Sequence, residues 1–258
     1  MAMYDLDAMF DLILRETRQK SLYYMGFSQG TTIMFAKLSR NPEFASKIRK
    51  FFALGPVGTV AHLMRLVFGD KFFAFDYKLA KLTSMLICDK PFLNPLCRDV
   101  LFQIAGPESN QFNESRVSVY IGGQGGTSVM NMIHWIQMVN SGKFQAYNYG
   151  STKENQIYYG SDSPPIYNLS LVNVPIYLFS GMNDWLANPV DIQESLLSML
   201  PNKSIKRRKQ FNDYNHLDFI WGLRAADEIY RPIISIIKMR KRVKKLLDNF
   251  MTTKVRQI

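Results

Sequence analysis

The sequence predicts an α/β fold built on a mostly parallel sheet, and three observations predict it. Short apolar runs alternate with stretches of helical spacing, a glycine or proline turn closes each run, and one strand-to-helix turn, at residues 26–30, carries the pattern G-x-S-x-G. In chain order, Met9, Phe10, Leu12, Ile13 and Leu14 mark a helix over residues 7–18, with Asp5 or Asp7 placed to cap its start. Ser21 to Met25 suits a buried strand that stops at Gly26. From Gly30 a second helix runs to just before Asn41-Pro42, because the residue preceding proline is steered away from helical angles. Further strands fit Phe51 to Leu54 and Val174 to Phe179, closed by Gly55-Pro56 and Ser180-Gly181. Val190 to Leu200 is helical, Ile205 to Phe211 a final strand, and Leu217 to Leu247 largely helical with a break near Pro232. Between about residues 60 and 165 aromatics, methionines and irregular glycines replace this rhythm, which reads as an inserted cap; Gly122-Gly123-Gln124-Gly125-Gly126 lacks the lysine and spacing of a phosphate loop.

Composition narrows the function classes. Of 258 residues, 47% are hydrophobic and 21% charged, which excludes low-complexity disorder. Two cysteines and three scattered histidines imply no metal and no cofactor. No apolar stretch approaches the roughly 18 residues that span a bilayer. The net charge of +11 is concentrated: residues 238–258 hold eight bases and one acid. A near-neutral body with a basic tail, and no zinc-finger or aromatic RNA-binding signature, argues against nucleic acid. Ile233, Ile236 and Ile237 read as a stripe packed on the body, while Val243, Leu247, Phe250 and the surrounding bases could meet an anionic lipid surface.

The pentapeptide Gly26-Phe27-Ser28-Gln29-Gly30 offers a nucleophile. A strand that turns abruptly into a helix strains its central serine, leaves no room for side chains at the flanking positions, and turns the Gln29 amide and the helix N-terminus toward developing negative charge. A serine needs a base and a residue to orient it, and in such folds the order along the chain is serine, acid, histidine. Asp184 follows a strand and His216 comes 32 residues later; Asp191 and Asp213 are rival acids, His62 and His134 rival histidines read as packing or surface residues.

Longer segments make the sequence specific. Leu22-Tyr23-Tyr24, Ser28-Gln29-Gly30-Thr31-Thr32, Phe52-Ala53-Leu54-Gly55-Pro56-Val57, Gly126-Thr127-Ser128 and Gln145-Ala146-Tyr147-Asn148-Tyr149-Gly150 form one part of a series. Pro164-Pro165-Ile166-Tyr167-Asn168, Asp184-Trp185-Leu186-Ala187-Asn188-Pro189 and Tyr214-Asn215-His216-Leu217-Asp218-Phe219-Ile220-Trp221-Gly222 complete it. With them the chain resembles the acid lipase family, which has the α/β-hydrolase fold. The resemblance implies Ser28 as nucleophile, Asp184 as orienting acid, His216 as general base and the Gln29 amide as an oxyanion donor. It implies a core over residues 1–59 and 166–237, a cap and lid over 60–165, and a basic tail over 238–258. Cys88 and Cys97 keep the spacing of the family's cap disulfide, against a reading as two reduced thiols, and Asn113, Asn168 and Asn202 begin candidate glycosylation tripeptides. Phe27 stands where family members usually carry histidine.

The resemblance implies a carboxylic-ester hydrolase of neutral lipids such as triacylglycerols or cholesteryl esters, with a lipid droplet or membrane surface met through the lid and basic tail. It implies a lysosomal or secreted address, whereas the acids among the first seven residues do not make a signal segment, so a complete chain of this sequence would be cytoplasmic. Only 27 residues precede Ser28, room for one helix and one strand, so the reading is of a member without the N-terminal strands and the second oxyanion donor. Losing one such donor costs about 10² to 10³ in turnover. An impaired homologue that binds lipid or a partner is therefore the alternative; a thioesterase or peptidase of the same fold is a third reading.

Overall fold

The computed structural model describes residues 1–57, 88, 90, 92–122 and 127–239. Four parallel strands, β1 (Leu22–Phe27), β2 (Ile48–Leu54), β3 (Ile176–Gly181) and β4 (Ile205–Phe211), form one sheet in the order β1-β2-β3-β4. Parallel neighbours need crossovers. Helix α2 (Gln29–Arg40) connects β1 to β2, and a helix over residues 189–197, whose second part Ile192–Leu197 has π geometry, connects β3 to β4. Between β2 and β3 the described residues contain no strand, but helices α3 (Asn94–Ala105), α4 (Val117–Gly122), α5 (Val129–Ser141) and α6 (Thr152–Tyr159), short 3-10 turns, and one isolated bridge, Gln145 to Ile166. The α/β-hydrolase expectation and its parallel sheet hold.

Side chains alternate across a strand, and here both faces are apolar. From β2, Phe51 and Ala53 enter one core cluster while Phe52 and Leu54 enter another; from β3, Ile176 and Leu178 join the first and Phe179 the second. The first cluster holds α1 (Asp5–Thr17) through Leu6 and Phe10, α2 through Met34, Phe35 and Leu38, and also Met138, Phe144 and Ala146. The second holds Phe211, Tyr214, Phe219 and Ile229, together with Ile233 and Ile236, so those isoleucines do pack on the body. Val243, Leu247 and Phe250 lie outside the described residues.

Some boundaries differ from expectation, for identifiable reasons. No side chain caps α1: Asp7 instead reaches Lys37 on α2 at 2.5 Å, and Asp5 lies within the helix. β1 continues through Gly26 to Phe27 because the ladder to Ala53 and Leu54 runs on to the turn itself. The segment expected to be one broken helix after Leu217 breaks at Gly222, not near Pro232. The short helix Asp218–Trp221 ends there, and helical structure resumes as the π turn Ala226–Tyr230 and runs unbroken over residues 231–239. Proline in a helix deprives the carbonyl four residues earlier of its donor. That carbonyl belongs to Glu228, and the Lys209 ammonium of β4 donates to it at 2.9 Å.

Candidate active site

The site lies at the carboxyl ends of β1, β2, β3 and β4. At the end of β1 the chain reverses into α2 through Ser28, whose φ of 52° and ψ of −122° are uncommon for a residue with a side chain. The strain is held from both sides: the Ser28 amide donates to the Leu54 carbonyl at 3.0 Å, and the Ser28 carbonyl accepts from the Thr31 amide at 2.8 Å. Gly26 is required, since a Cβ there would stand 2.9 Å from the Gly30 backbone. Gly30 is not required in that sense: its Cβ would meet only the Tyr24 hydroxyl, at an ordinary 3.6 Å. The expected lack of room on both sides of Ser28 therefore applies to one side. Gln29 opens α2, and its amide is among the first-turn donors that have no carbonyl partner within the helix.

Past the end of β3, Asp184 is fully buried. Its Oδ1 accepts from the amides of Leu186 (3.0 Å) and Ala187 (2.6 Å), which fixes the carboxylate plane. His216 Nδ1 lies 3.0 Å from Oδ1 and 2.9 Å from Oδ2, so the acid-to-histidine pairing is made. The rivals are occupied elsewhere. Asp213 pairs with Arg224, Asp191 sits in the helix after β3, and His134 Nε2 bonds the Gln145 carbonyl at 2.8 Å. Burial also lowers the His134 pKa. His62 lies outside the described residues.

His216 Nε2, its other nitrogen, is buried without a hydrogen-bond partner among the described residues. Ser28 Oγ does not bond it in this structure, but the two residues are neighbours through shared contacts. Phe27, next to the serine, packs on the imidazole with ring centroids 4.8 Å apart. Gly55, next to the Leu54 carbonyl that holds Ser28, has φ +50°, and a Cβ on it would stand 3.2 Å from Asp184 Oδ2 and 3.3 Å from the imidazole.

A second layer of support escaped the sequence reading. The carbonyl of Ala105, the last residue of α3, accepts from both the Trp185 amide (3.2 Å) and the His216 amide (3.1 Å), so one atom spaces the two loops. Gly106 follows with φ +116°, where a Cβ would fall 1.9 Å from the Asn183 carbonyl oxygen. The Pro107 carbonyl accepts from Asn215 Nδ2 at 3.0 Å. The Gly106-Pro107 dipeptide was the available signal: a helix stop of the kind that fixes a turn. Within the histidine loop, Asp218 Oδ2 accepts from the Asn215 amide at 2.8 Å, and burial pushes the Asp218 carboxyl up to about 6.

The remaining candidates are placed as follows. Cys88 and Cys97 are joined by a disulfide, with Cα atoms 5.7 Å apart, beside a small apolar cluster that includes Phe102, Phe112 and Val117. Asn113 Oδ1 accepts from the amide and hydroxyl of Ser115, and Asn168 Oδ1 does the same with Ser170. Asn202 differs, because Ser204 is buried with its hydroxyl on the Val172 carbonyl at 2.8 Å. Among the described residues no three His, Cys, Asp or Glu group as a metal site, and no helix is long and apolar enough to cross a membrane. A buried histidine held by a carboxylate, with its second nitrogen unspent beside a strained serine, is chemically an arrangement for proton transfer to and from a hydroxyl.

Comparison with known proteins agrees with this geometry. Residues 1–223 match the alpha/beta hydrolase fold family. The chain is 43% identical over 257 residues to gastric triacylglycerol lipase of Homo sapiens, covering 94% of this chain and 64% of that protein. It is 43% identical over 258 residues to lipase lipl-1 of Caenorhabditis elegans, covering 92% and 64%, and 45% identical to lipase lipl-3 of the same organism, covering 92% and 63%. The chain thus spans slightly under two thirds of the length of these curated relatives. It belongs to the alpha/beta hydrolase family and, within it, is similar to the lipases that the sequence motifs lead one to expect.

Proposed function

We propose that the chain carries the catalytic centre of a serine carboxylic-ester hydrolase acting on neutral lipids, triacylglycerols or cholesteryl esters. The observation that carries this reading is the buried Asp184–His216 pair, whose free Nε2 sits beside the strained Ser28 turn. In the reaction Ser28 Oγ attacks the ester carbonyl while His216 Nε2 takes its proton, and Nδ1–H stays on Asp184. The Gln29 amide, unpaired at the start of α2, donates to the tetrahedral oxyanion. The imidazolium then protonates the departing alcohol, and water, deprotonated by the same nitrogen, releases the acid from the acyl-serine. The similarity to proteins named gastric triacylglycerol lipase favours glyceride esters over thioesters or peptides.

In this reading the cap and lid are the insertion over residues 60–165, which lies between β2 and β3 in the sequence. The Cys88–Cys97 disulfide and the tripeptides at Asn113 and Asn168 fit a protein that matures in an oxidising, glycosylating compartment, which supports a lysosomal or secreted address; Asn202, with Ser204 buried, adds nothing to this. The test is hydrolysis of p-nitrophenyl butyrate by the purified chain and by Ser28→Ala. Release by the wild type and none by the variant supports the esterase; equal, blank-level rates for both overturn it in favour of a non-catalytic lipid-binding protein.

A further inference from the structure

The last strand of the sheet, β4, has a neighbouring strand on one side only, and it carries a run of bases. Between Pro201 and Phe211 the sequence holds Lys203, Lys206, Arg207, Arg208 and Lys209 and no acid. Lys203, Lys206, Arg207 and Arg208 are exposed, and Lys209 is half-buried. None of the five forms an ion pair with an acid among the described residues. The bonds they make go to neutral groups: Lys206 Nζ donates to the Lys203 carbonyl at 2.7 Å, Arg208 Nη2 to Gln193 Oε1 at 3.4 Å and Lys209 Nζ to the Glu228 carbonyl at 2.9 Å. The Glu228 carboxylate is itself taken, by Tyr214 Oη at 2.8 Å and by Arg224.

The register shows how these charges are arranged. Ile176 pairs with Ile205 and Tyr177 with Arg207, so Lys206 is the extra residue of a bulge. Arg207 and Lys209 then lie beside Tyr177 and Phe179 on the face of the second core cluster, and Arg208 lies beside Leu178 on the face of the first. Bases therefore flank both sides of the sheet's edge over about 10 Å. A planar lipid surface meets one side of such a ridge at a time, whereas a flexible linear polyanion laid along it reaches both. One or two charges would serve to guard an edge against strand addition. Four consecutive bases repel one another, and a bound polyanion relieves that cost. The run ends before Phe211, while His216 and the other parts of the candidate active site lie past the carboxyl ends of the strands, so an occupant of this edge need not cover them.

We propose that the β4 edge binds a linear sulfated polysaccharide, a chain of the heparan sulfate class, with Lys203, Lys206, Arg207 and Arg208 on its sulfates. Basic runs of this length suit heparin-like ligands, and sulfated chains are the linear polyanions of the oxidising compartments that the Cys88–Cys97 disulfide fits. Ester hydrolysis plays no part in this binding, so its test is independent of the esterase reading. The test is the Kd for a heparin octasaccharide, measured on the full chain by titration calorimetry. A variant combining Lys203→Gln, Lys206→Gln, Arg207→Gln and Arg208→Gln should bind about tenfold more weakly or worse, with a flatter salt dependence, because each lost contact releases fewer counter-ions. A control combining Lys20→Gln, Arg116→Gln, Lys143→Gln and Lys153→Gln removes the same charge from exposed positions elsewhere and should stay within about twofold of wild type, since distant charges are screened. Equal losses in the two variants would mean attraction to net charge alone and overturn the proposal, as would an unchanged Kd in the β4 variant. Tighter binding of phosphatidylserine vesicles or single-stranded DNA through the same four residues would also overturn it. Should the β4 variant fail to fold, lysine acetylation of the wild-type chain with the octasaccharide present decides. Protection of Lys203 and Lys206 while Lys20, Lys143 and Lys153 react supports the proposal; no protection, or protection confined to lysines of residues 238–258, overturns it.

Discussion

Asp184→Asn tests the proton relay through one atom. In the wild type, Oδ1 accepts two backbone amides, from Leu186 at 3.0 Å and Ala187 at 2.6 Å, and lies 3.0 Å from His216 Nδ1, while among the described residues Oδ2 meets only that nitrogen, at 2.9 Å. Asparagine has one oxygen to place. If the oxygen faces His216, two buried amides lose their acceptor, at about 1–3 kcal/mol each. If it stays with the amides, the NH₂ group faces Nδ1 and the imidazole must carry its proton on Nε2, a tautomer change that costs less. The second arrangement wins, and Nε2 becomes a donor that cannot take the Ser28 proton. Turnover of p-nitrophenyl butyrate should fall by about 10⁴, while the fold persists because the backbone contacts survive. At a pH where the imidazole is neutral, nitrogen-15 NMR of His216 should show the proton moved from Nδ1 to Nε2. Turnover within tenfold of wild type, or a proton still on Nδ1 in the variant, would refute the reasoning.

Four further outcomes follow from the same contacts. Gly55→Ala places a methyl 3.2 Å from Asp184 Oδ2 at φ +50°, and the left-handed backbone alone costs about 1–2 kcal/mol; the melting temperature should drop by several degrees. Gly106→Ala should be worse and yield little soluble protein, because the added carbon falls 1.9 Å from the Asn183 carbonyl oxygen, which belongs to rigid backbone. Asp218, with its carboxyl at about 6 in the folded chain against about 3.9 unfolded, binds its proton more tightly when folded, so stability should decline by roughly 2–3 kcal/mol as pH rises from about 4 to 6. Urea titrations of the wild type and Asp218→Asn should differ by that slope, and parallel curves would disprove it. Asn131→Ala removes the 2.6 Å bond to Gln29, whose net worth of about 1 kcal/mol predicts a melting temperature lower by about 2–4 °C, read by differential scanning calorimetry.

What could be read in the sequence was what neighbouring residues decide among themselves. β4 spans Ile205–Phe211, the bounds expected from the sequence, and the elbow is visible because strand, serine and helix are consecutive. Asp184 and His216 could be proposed because their order and loop positions follow from the fold. What escaped depends on contacts between distant parts of the chain. Nothing near Ala105 says that its carbonyl will hold the amides of Trp185 and His216, 80 and 111 residues later in the sequence. Pro232 was expected to break a helix because the rule concerns the carbonyl it orphans; the Lys209 ammonium that satisfies that carbonyl arrives from β4. Gly26 and Gly30 look equivalent in a motif, and only the packing of β1 against α2 separates the one that must lack a side chain from the one that need not.

The supports around the centre share a physical character that explains why so few side chains need to be special. Ser28 is held by the Leu54 carbonyl and the Thr31 amide, Asp184 by two amides, and the acid and histidine loops by one carbonyl. Backbone donors and acceptors do not change with the side chains of the residues that carry them, so volume-conserving substitutions at Leu54 or Leu186 leave these bonds intact. The sensitive positions are Gly26 and Gly106, where a Cβ would meet backbone, and Gly55, where it would meet the Asp184 and His216 side chains, together with the three side chains of the proposed relay. A centre held mainly through backbone contacts keeps its geometry while side chains around it change, which leaves the surrounding walls free to differ.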